Sequence, residues 1–172
     1  MRKAIKIIIA ILILSIVIFL GYNIYQKIQH KQKIAENTKT IPSFNFKTIE
    51  SVDFTLKDIS SKKPKLFIYF NSECEFCNGE AEKISENLDL FNDIQILFVS
   101  HEETQNILRF AQKHHLYNRK NIIFLEDEKL EFSKLFDAKS IPFIVLYSKE
   151  DKRIKVFKGS TNPKKILTYL PE

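Results

Sequence analysis

The sequence predicts an α/β domain whose mixed β-sheet is flanked by helices, preceded by a separate apolar helix at the amino end. Two observations predict the domain. Short apolar runs typical of strands alternate with stretches in which apolar residues recur every three or four positions, as in amphipathic helices. A hairpin before the last helix makes the sheet mixed rather than purely parallel. A third observation, an uncharged run near the start of the chain, predicts the separate helix.

The composition is that of a folded chain with one domain. Of 172 residues, 44% are hydrophobic and fifteen are Phe, which is enough apolar material for one core. The formal net charge is +6, but acidic residues are interleaved with the basic ones. Because no clustered basic stripe is present, we expect no nucleic-acid partner.

The amino-terminal run has the length of a membrane span. Residues 7–25 carry no charge, and a helix needs about 20 mostly apolar residues to cross a bilayer. A cleaved signal peptide, the alternative, would be followed by a small-residue site, and none follows Leu20. We therefore expect an uncleaved signal anchor over residues 1–25, in contact with the lipid bilayer through residues 4–25.

The next segment, residues 26–40, is polar and is predicted to form a juxtamembrane stalk, which leaves residues 41–172 for the folded domain. Basic residues flank the apolar run on both sides, so the positive-inside rule separates the two orientations only weakly. The closely spaced charges before the run favour a cytoplasmic amino terminus and an external domain.

The strands are predicted from short apolar runs. Two alternating runs, residues 43–49 and 52–59, are typical of a hairpin of edge strands. Continuous apolar runs then predict strands covered on both faces, and a polar tip precedes a return strand. These strands are expected at residues 66–70, 94–100, 121–125, 141–147 and 154–158.

The helices are predicted from the spacing of apolar side chains. The first begins near Cys74, and a short one is expected at residues 130–136. The last is capped by Asn162 and Pro163 and ends near Leu170. The stripes that define the first two helices are Ala81, Ile84, Leu88 and Phe91, and then Ile107, Phe110, Ala111 and His114.

The chain contains two cysteines, Cys74 and Cys77, where a predicted strand meets a predicted helix. The amino end of a helix favours an anion, so Cys74 is the candidate attacking thiolate. Cys77, one turn later, is the candidate resolving thiol for a mixed disulfide on Cys74. The nearby Glu73, Glu75 and Glu80 disfavour a thiolate, which favours a reductant over a strong oxidant.

Two other roles for the cysteine pair are a structural disulfide and a metal site. A disulfide here would close a very short loop, which removes little chain entropy. A metal site would need about two further ligands, and the available histidines are His30, His101, His114 and His115. We favour the redox role. We expect no metal, and no nucleotide or flavin cofactor because neither fingerprint is present.

A proline opens the strongly apolar run 141–147. Proline inside a buried strand is disfavoured unless a special bond geometry or a strand start accommodates it. A cis bond between Ile141 and Pro142 would imply function. The ordinary alternative is a trans proline at a strand start.

The strand before the CEFC sequence, the S-I-P sequence, and the final hairpin and helix together resemble the thioredoxin fold. The IPSFNF and FTLKDI runs, and the NIIFL and LEFSKLF insertion, resemble the membrane-anchored TlpA/ResA-like branch. The resemblance implies a thiol-disulfide oxidoreductase outside the cytoplasmic membrane, in which Cys74 attacks and Cys77 resolves. It also implies that Pro142 is a cis-proline, that the backbone of Ile141 lines the substrate groove, and that Glu80 helps proton transfer. The alternative for Glu80 is a solvated helix charge.

Four positions depart from the family pattern. The usual Trp before the first cysteine, two Pro and the buried acid of thioredoxin are replaced by Glu73, Phe76, Glu82 and Ile68. These departures affect the expected redox potential and partner surface, and leave the exchange reaction intact. Phe76 is a candidate apolar contact for substrate beside the exposed sulfur, with simple packing as the alternative.

The sequence therefore predicts a single-pass protein of the bacterial cytoplasmic membrane whose catalytic domain faces the periplasm or the cell exterior. Its expected activity is the reduction of protein disulfides. Its expected partners are disulfide-containing protein substrates and a membrane thiol that donates electrons. The alternatives are a disulfide oxidase and a noncatalytic module that keeps the fold to bind a partner.

Overall fold

The structure is a computed structural model that describes residues 2–170. Within the amino-terminal helix it describes side chains only at residues 5 and 6 and from residue 12 onward. The chain divides into two compact units, Met1–Glu36 and Asn37–Glu172. The second unit contains the β-sheet and both cysteines.

The first unit is formed by helix α1, Arg2–Asn37. At 1.5 Å per residue, a helix of this length measures about 54 Å, which exceeds the bilayer hydrocarbon core of about 30 Å. Within its described side chains, the stretch Leu12–Asn37 is long and apolar enough to cross a membrane. Most of the predicted stalk, residues 26–40, is therefore a continuation of the same helix.

The second unit is built on a mixed β-sheet that has seven strands within the described residues. The strands are β1 Asn45–Thr48, β2 Asp53–Thr55, β3 Lys65–Tyr69, β4 Gln95–Ser100, β5 Ile122–Glu126, β6 Phe143–Tyr147 and β7 Arg153–Lys158. Their order is β2-β1-β5-β4-β3-β6-β7, in which β3, β4 and β5 are parallel and the other pairs are antiparallel. The predicted mixed sheet is confirmed, and β3 lies inside it between β4 and β6.

Helices cover both faces of the sheet. They are α2 Glu75–Glu86, α3 Thr104–Lys113, α4 Glu131–Phe136 and α5 Pro163–Leu167. Successive strand residues point to opposite faces, so Ile68 packs in the core with α2, α3 and α5, whereas Phe67 packs in the core with α4 and the β1–β2 hairpin. The last helix ends at Leu167, one turn short of the predicted end near Leu170.

Aromatic contacts hold the end of β3 from both sides. The ring of Phe70 lies 4.4 Å from that of Phe110 on α3, and the ring of Tyr69 lies 5.0 Å from that of Phe132 on α4, measured between centroids. Aromatic side chains bury large apolar areas and dominate core energetics. The loop that carries Cys74 therefore begins directly after two residues that are packed on opposite faces of the sheet.

The folded unit includes residues 38–40, which the sequence division assigned to the stalk. The Tyr147 hydroxyl donates to the Thr38 carbonyl at 3.0 Å, and the Arg153 N–H donates to the Lys39 carbonyl at 2.8 Å. Thr40 forms an isolated bridge with Lys152. These partners belong to β6, β7 and the turn between them, more than 100 residues away, and so leave no local signal in residues 38–40.

Candidate functional site

Cys74 is the residue that caps α2, as expected for a helix that begins near it. Its Sγ accepts a hydrogen bond from the Cys77 N–H at 3.4 Å. The same N–H also donates to the Cys74 carbonyl at 3.1 Å, so the sulfur shares this donor with the backbone of the first turn. The sulfur of Cys74 thus lies at the amino end of α2, in contact with a backbone donor.

The two cysteines differ in exposure. Both are free thiols; Cys74 is half-buried and Cys77 is buried, with 1% of its surface exposed. Burial and the hydrogen bond to Cys74 raise the pKa of the Cys77 thiol, and the nearby Glu80 carboxylate adds to the rise. The site therefore pairs one reachable sulfur with one protected, protonated sulfur.

The residues before β6 lie beside the reachable sulfur. The Cys74 Sγ is 4.0 Å from the carbonyl oxygen of Ile141, and the bond from Ile141 to the buried Pro142 is cis. The Pro142 carbonyl accepts a hydrogen bond from the Gly159 N–H at 2.8 Å. Three residues singled out from the sequence, Cys74, Ile141 and Pro142, are thus brought together although 67 positions separate Cys74 from Ile141.

An open groove of about 840 Å³ is lined in part by Glu75, Phe76 and Asn78, the residues that flank the two cysteines on α2. Phe76 and Ile141 line it together with Ser140, Gly159 and Ser160. Phe76 is 68% exposed and does not belong to the buried core. Its ring offers an apolar surface within the groove.

Glu80 is fully buried, so the alternative of a solvated helix charge is wrong. Its Oε2 accepts hydrogen bonds from the Thr161 N–H at 2.6 Å and the Ser160 hydroxyl at 2.9 Å. Its Oε1 has no hydrogen-bond partner among the described residues. Burial raises the pKa of the Glu80 carboxyl, against the opposing effect of these donors. A buried carboxylate with one unused oxygen is suited to accept a proton.

Sequence reasoning missed three residues whose hydrogen bonds hold the loop between β3 and α2, which carries Cys74. These residues are Ser72, Asn78 and Glu102. The Glu102 carboxylate accepts from the Ser72 N–H at 2.7 Å and from the Ser72 hydroxyl at 2.6 Å. Asn78 reaches from α2 to α3. These contacts join distant parts of the chain, and no spacing or motif in the sequence marks them.

No group of three or more potential metal-ligating side chains occurs among the residues that the structure describes. His114 is buried at the end of α3, where burial and the neighbouring Lys113 lower its pKa. His115 is exposed. The histidines considered as ligands thus form no such cluster with the cysteines.

A mixed sheet in this strand order, with a C-x-x-C pair at the start of the helix after β3, defines a thioredoxin-like protein. The chain belongs to the AhpC/TSA family, whose model matches residues 38–159. The predicted thioredoxin-like fold is confirmed. No curated protein sequence matches the chain.

Solved structures share this fold at low sequence identity. A secreted Mycobacterium tuberculosis disulfide oxidoreductase homologous to E. coli DsbE has a TM-score of 0.62 and 16% identity, over 73% of this chain and 92% of the other. StoA from Bacillus subtilis has a TM-score of 0.59 and 18% identity, over 76% and 98%. Peroxidoxin BcpB from M. tuberculosis has a TM-score of 0.64 and 13% identity, over 76% and 92%.

Proposed function

We propose that the protein is a membrane-anchored thiol-disulfide oxidoreductase that reduces disulfide bonds in other proteins. The observation that carries the proposal is the half-buried sulfur of Cys74 at the start of α2, 4.0 Å from the Ile141 carbonyl, with the buried thiol of Cys77 one turn behind it. The disulfide oxidoreductase structures that share the fold support the same activity.

In the first step, the Cys74 thiolate attacks one sulfur of a substrate disulfide. A bond forms between Cys74 and that sulfur, and the other substrate sulfur leaves as a thiolate that takes a proton from solvent. The product is a mixed disulfide on Cys74. The exposed ring of Phe76 and the backbone of Ile141 supply the surfaces that hold the substrate chain in the groove.

In the second step, Cys77 attacks the Cys74 sulfur of the mixed disulfide. Its proton must leave first, because the thiolate is the nucleophile, and burial raises the pKa of this thiol. We assign Glu80 as the proton acceptor, since its buried Oε1 has a free lone pair. The Cys74–Cys77 disulfide forms, the second substrate thiolate leaves, and two electrons have passed to the substrate.

The acidic residues near the pair support the proposed direction of electron flow. Strong oxidants of this fold have a stabilised reduced form, whereas Glu73 and Glu75 are exposed acids beside Cys74 and Glu80 is a buried acid near Cys77. The Glu80 carboxylate contributes to the raised pKa of the Cys77 thiol, and a reduced pair that is not stabilised by ionisation releases electrons more readily. The oxidised pair is then restored by a thiol donor at the membrane.

The proposed location combines α1 with the chemistry of the pair. Disulfide substrates occur in oxidising compartments outside the cytoplasm, and α1 has the length and composition of a membrane span. The domain would then face the periplasm or the cell exterior, attached to the cytoplasmic membrane by α1.

Insulin reduction by the full-length protein in detergent, with a chemical thiol as electron source, tests the activity. The wild-type protein should accelerate the reaction, and Cys74→Ser should return it to the uncatalysed rate. Equal rates for both proteins would support the alternative of a noncatalytic binding module. The reduction potential of the cysteine pair tests the direction of electron flow. A value of about −120 mV, which is typical of strong oxidants, would indicate an oxidase.

A further inference from the structure

We infer that Asn78 is a positioning residue that holds the backbone around Cys74 against α3. The inference rests on the proposed function, since it concerns the sulfur assigned to attack the substrate. Asn78 follows Cys77 on α2 and is one of the residues that line the groove, and its side-chain oxygen contacts Lys113 and His114 at the end of α3.

The amide of Asn78 uses its full hydrogen-bonding capacity. Its Nδ2 donates to the Ser72 carbonyl at 2.8 Å and to the Cys74 carbonyl at 2.9 Å. Its Oδ1 accepts from the Lys113 Nζ at 2.7 Å and lies 2.9 Å from the His114 Nε2. An amide has two donor hydrogens and two acceptor lone pairs, so all four are engaged, two with the loop and two with α3.

The chemistry of the partners fixes the orientation of the amide. The two loop carbonyls can only accept, so the nitrogen of Asn78 must face them and its oxygen must face α3. His114 then donates through Nε2–H, and Lys113 donates through its ammonium group. One side chain thus bridges the cysteine loop and the end of α3.

A second attachment supports the same loop from the start of α3. Ser72 donates through its N–H and its hydroxyl to Glu102, and the Ser100 hydroxyl donates to the same carboxylate at 3.0 Å. Both the donors and the carbonyl of Ser72 are therefore occupied. Asn78 supplies the contact nearest the reactive sulfur, because it also binds the carbonyl of Cys74 itself.

These contacts bear on reactivity because disulfide exchange depends on the position of the attacking atom. Misplacement of a reacting group by about 1 Å can reduce a rate by roughly a hundredfold. The Sγ of Cys74 depends on its backbone for both its distance to the Ile141 carbonyl and its contact with the Cys77 N–H. Asn78 fixes that backbone by joining the Cys74 carbonyl to the end of α3.

The first test compares Asn78→Ala with Asn121→Ala in the full-length protein in detergent. Asn121 is a matched control, because its Nδ2 also donates to two carbonyls, those of Phe91 and Ile94 at 2.8 and 3.0 Å, and it lies at the opposite end of the parallel strands. The measurements are urea unfolding, the rate of attack on a small aromatic disulfide, and kcat and KM for insulin reduction.

Both variants should lose similar stability, and only Asn78→Ala should slow attack on the small disulfide, by about tenfold. Its kcat should fall by a larger factor than its KM rises, because Asn78 is only one of the residues that line the groove, whereas it directly holds the Cys74 carbonyl. Equal attack rates for the two variants would overturn the inference. The reaction with the small disulfide needs no protein substrate, so this result stands apart from the proposed function, which fails if the wild-type protein does not reduce insulin.

A second test uses Lys113→Met, which alters an exposed side chain on the far side of the bridge. If Lys113 acts through Asn78, this substitution should slow attack about twofold in the wild-type background and not at all in the Asn78→Ala background. An equal slowing in both backgrounds would mean that the Lys113 charge acts directly on the site, and would overturn the bridging role.

Discussion

Cys74 and Cys77 are the same residue type one helical turn apart, yet their surroundings differ. Cys74 caps α2, is half-buried and faces the Ile141 carbonyl, whereas Cys77 is buried in the core beside Ala81. The difference follows from position, because the cap residue precedes the packed face of the helix and the residue three later points toward the sheet. Helix position therefore divides the proposed roles of the pair.

The largest effects are expected when either cysteine is replaced by serine, because each replacement removes one of the two proposed roles. Cys77→Ser should retain the first attack and accumulate a mixed disulfide on Cys74, because no thiol remains to resolve it. Non-reducing electrophoresis of the full-length variant after incubation with a protein disulfide detects this adduct. Cys74→Ser is the control and should form none; an adduct on Cys74→Ser but not on Cys77→Ser would reverse the two roles.

Glu80→Gln should slow the step carried out by Cys77 and leave the step carried out by Cys74 nearly unchanged. Loss of the proton acceptor should slow the resolution step by about a hundredfold, while attack by Cys74 on a small disulfide changes little. Rapid mixing with a protein disulfide, followed by acid quenching, measures the lifetime of the mixed disulfide. A lifetime equal to that of the wild-type protein would remove Glu80 from the mechanism.

Phe76→Ser should weaken the binding of protein substrates without changing the reactivity of Cys74. Loss of the apolar ring from the groove should raise KM for a protein disulfide by about fivefold and leave attack on a small disulfide unchanged. Val52→Ser is a matched control, because Val52 is a 60% exposed apolar residue in the β1–β2 hairpin. Steady-state insulin reduction gives both values, and equal KM values for the two variants would contradict a role in substrate binding.

The smallest expected effect concerns stability and pH. Burial raises the pKa of the Glu80 carboxyl in the folded protein, so its ionisation destabilises the fold as pH rises from the ordinary carboxyl pKa through the folded one. Glu80→Gln removes this titration. The free energy of unfolding of the variant should exceed that of the wild-type protein at pH 8, and the two should be equal at pH 4.

Urea unfolding of the full-length protein in detergent measures this difference at the two pH values. The wild-type and variant curves should converge as the carboxyl becomes protonated. A gain that is the same at pH 4 and pH 8 would show that it comes from packing and not from the buried charge.

Features set by neighbouring residues were predictable from the sequence. The continuous apolar runs gave the strands to within a few residues, and the strand-to-helix junction placed Cys74 at the start of α2. The burial of Glu80 was not predictable, because Ser160 and Thr161 cover it from 80 positions further along the chain. The bridge through Asn78 was missed for the same reason, since its partners on α3 lie 35 and 36 positions away.

The buried position of Cys77 also bears on damage by peroxides. A peroxide that reaches the half-buried sulfur of Cys74 converts it to a sulfenic acid, and further oxidation to the sulfinic acid is usually irreversible. The neighbouring thiol of Cys77 can condense with the sulfenic acid, which releases water and forms the same disulfide that turnover produces. The buried thiol of Cys77 thus converts oxidised Cys74 into a disulfide, which a reducing thiol can return to two thiols.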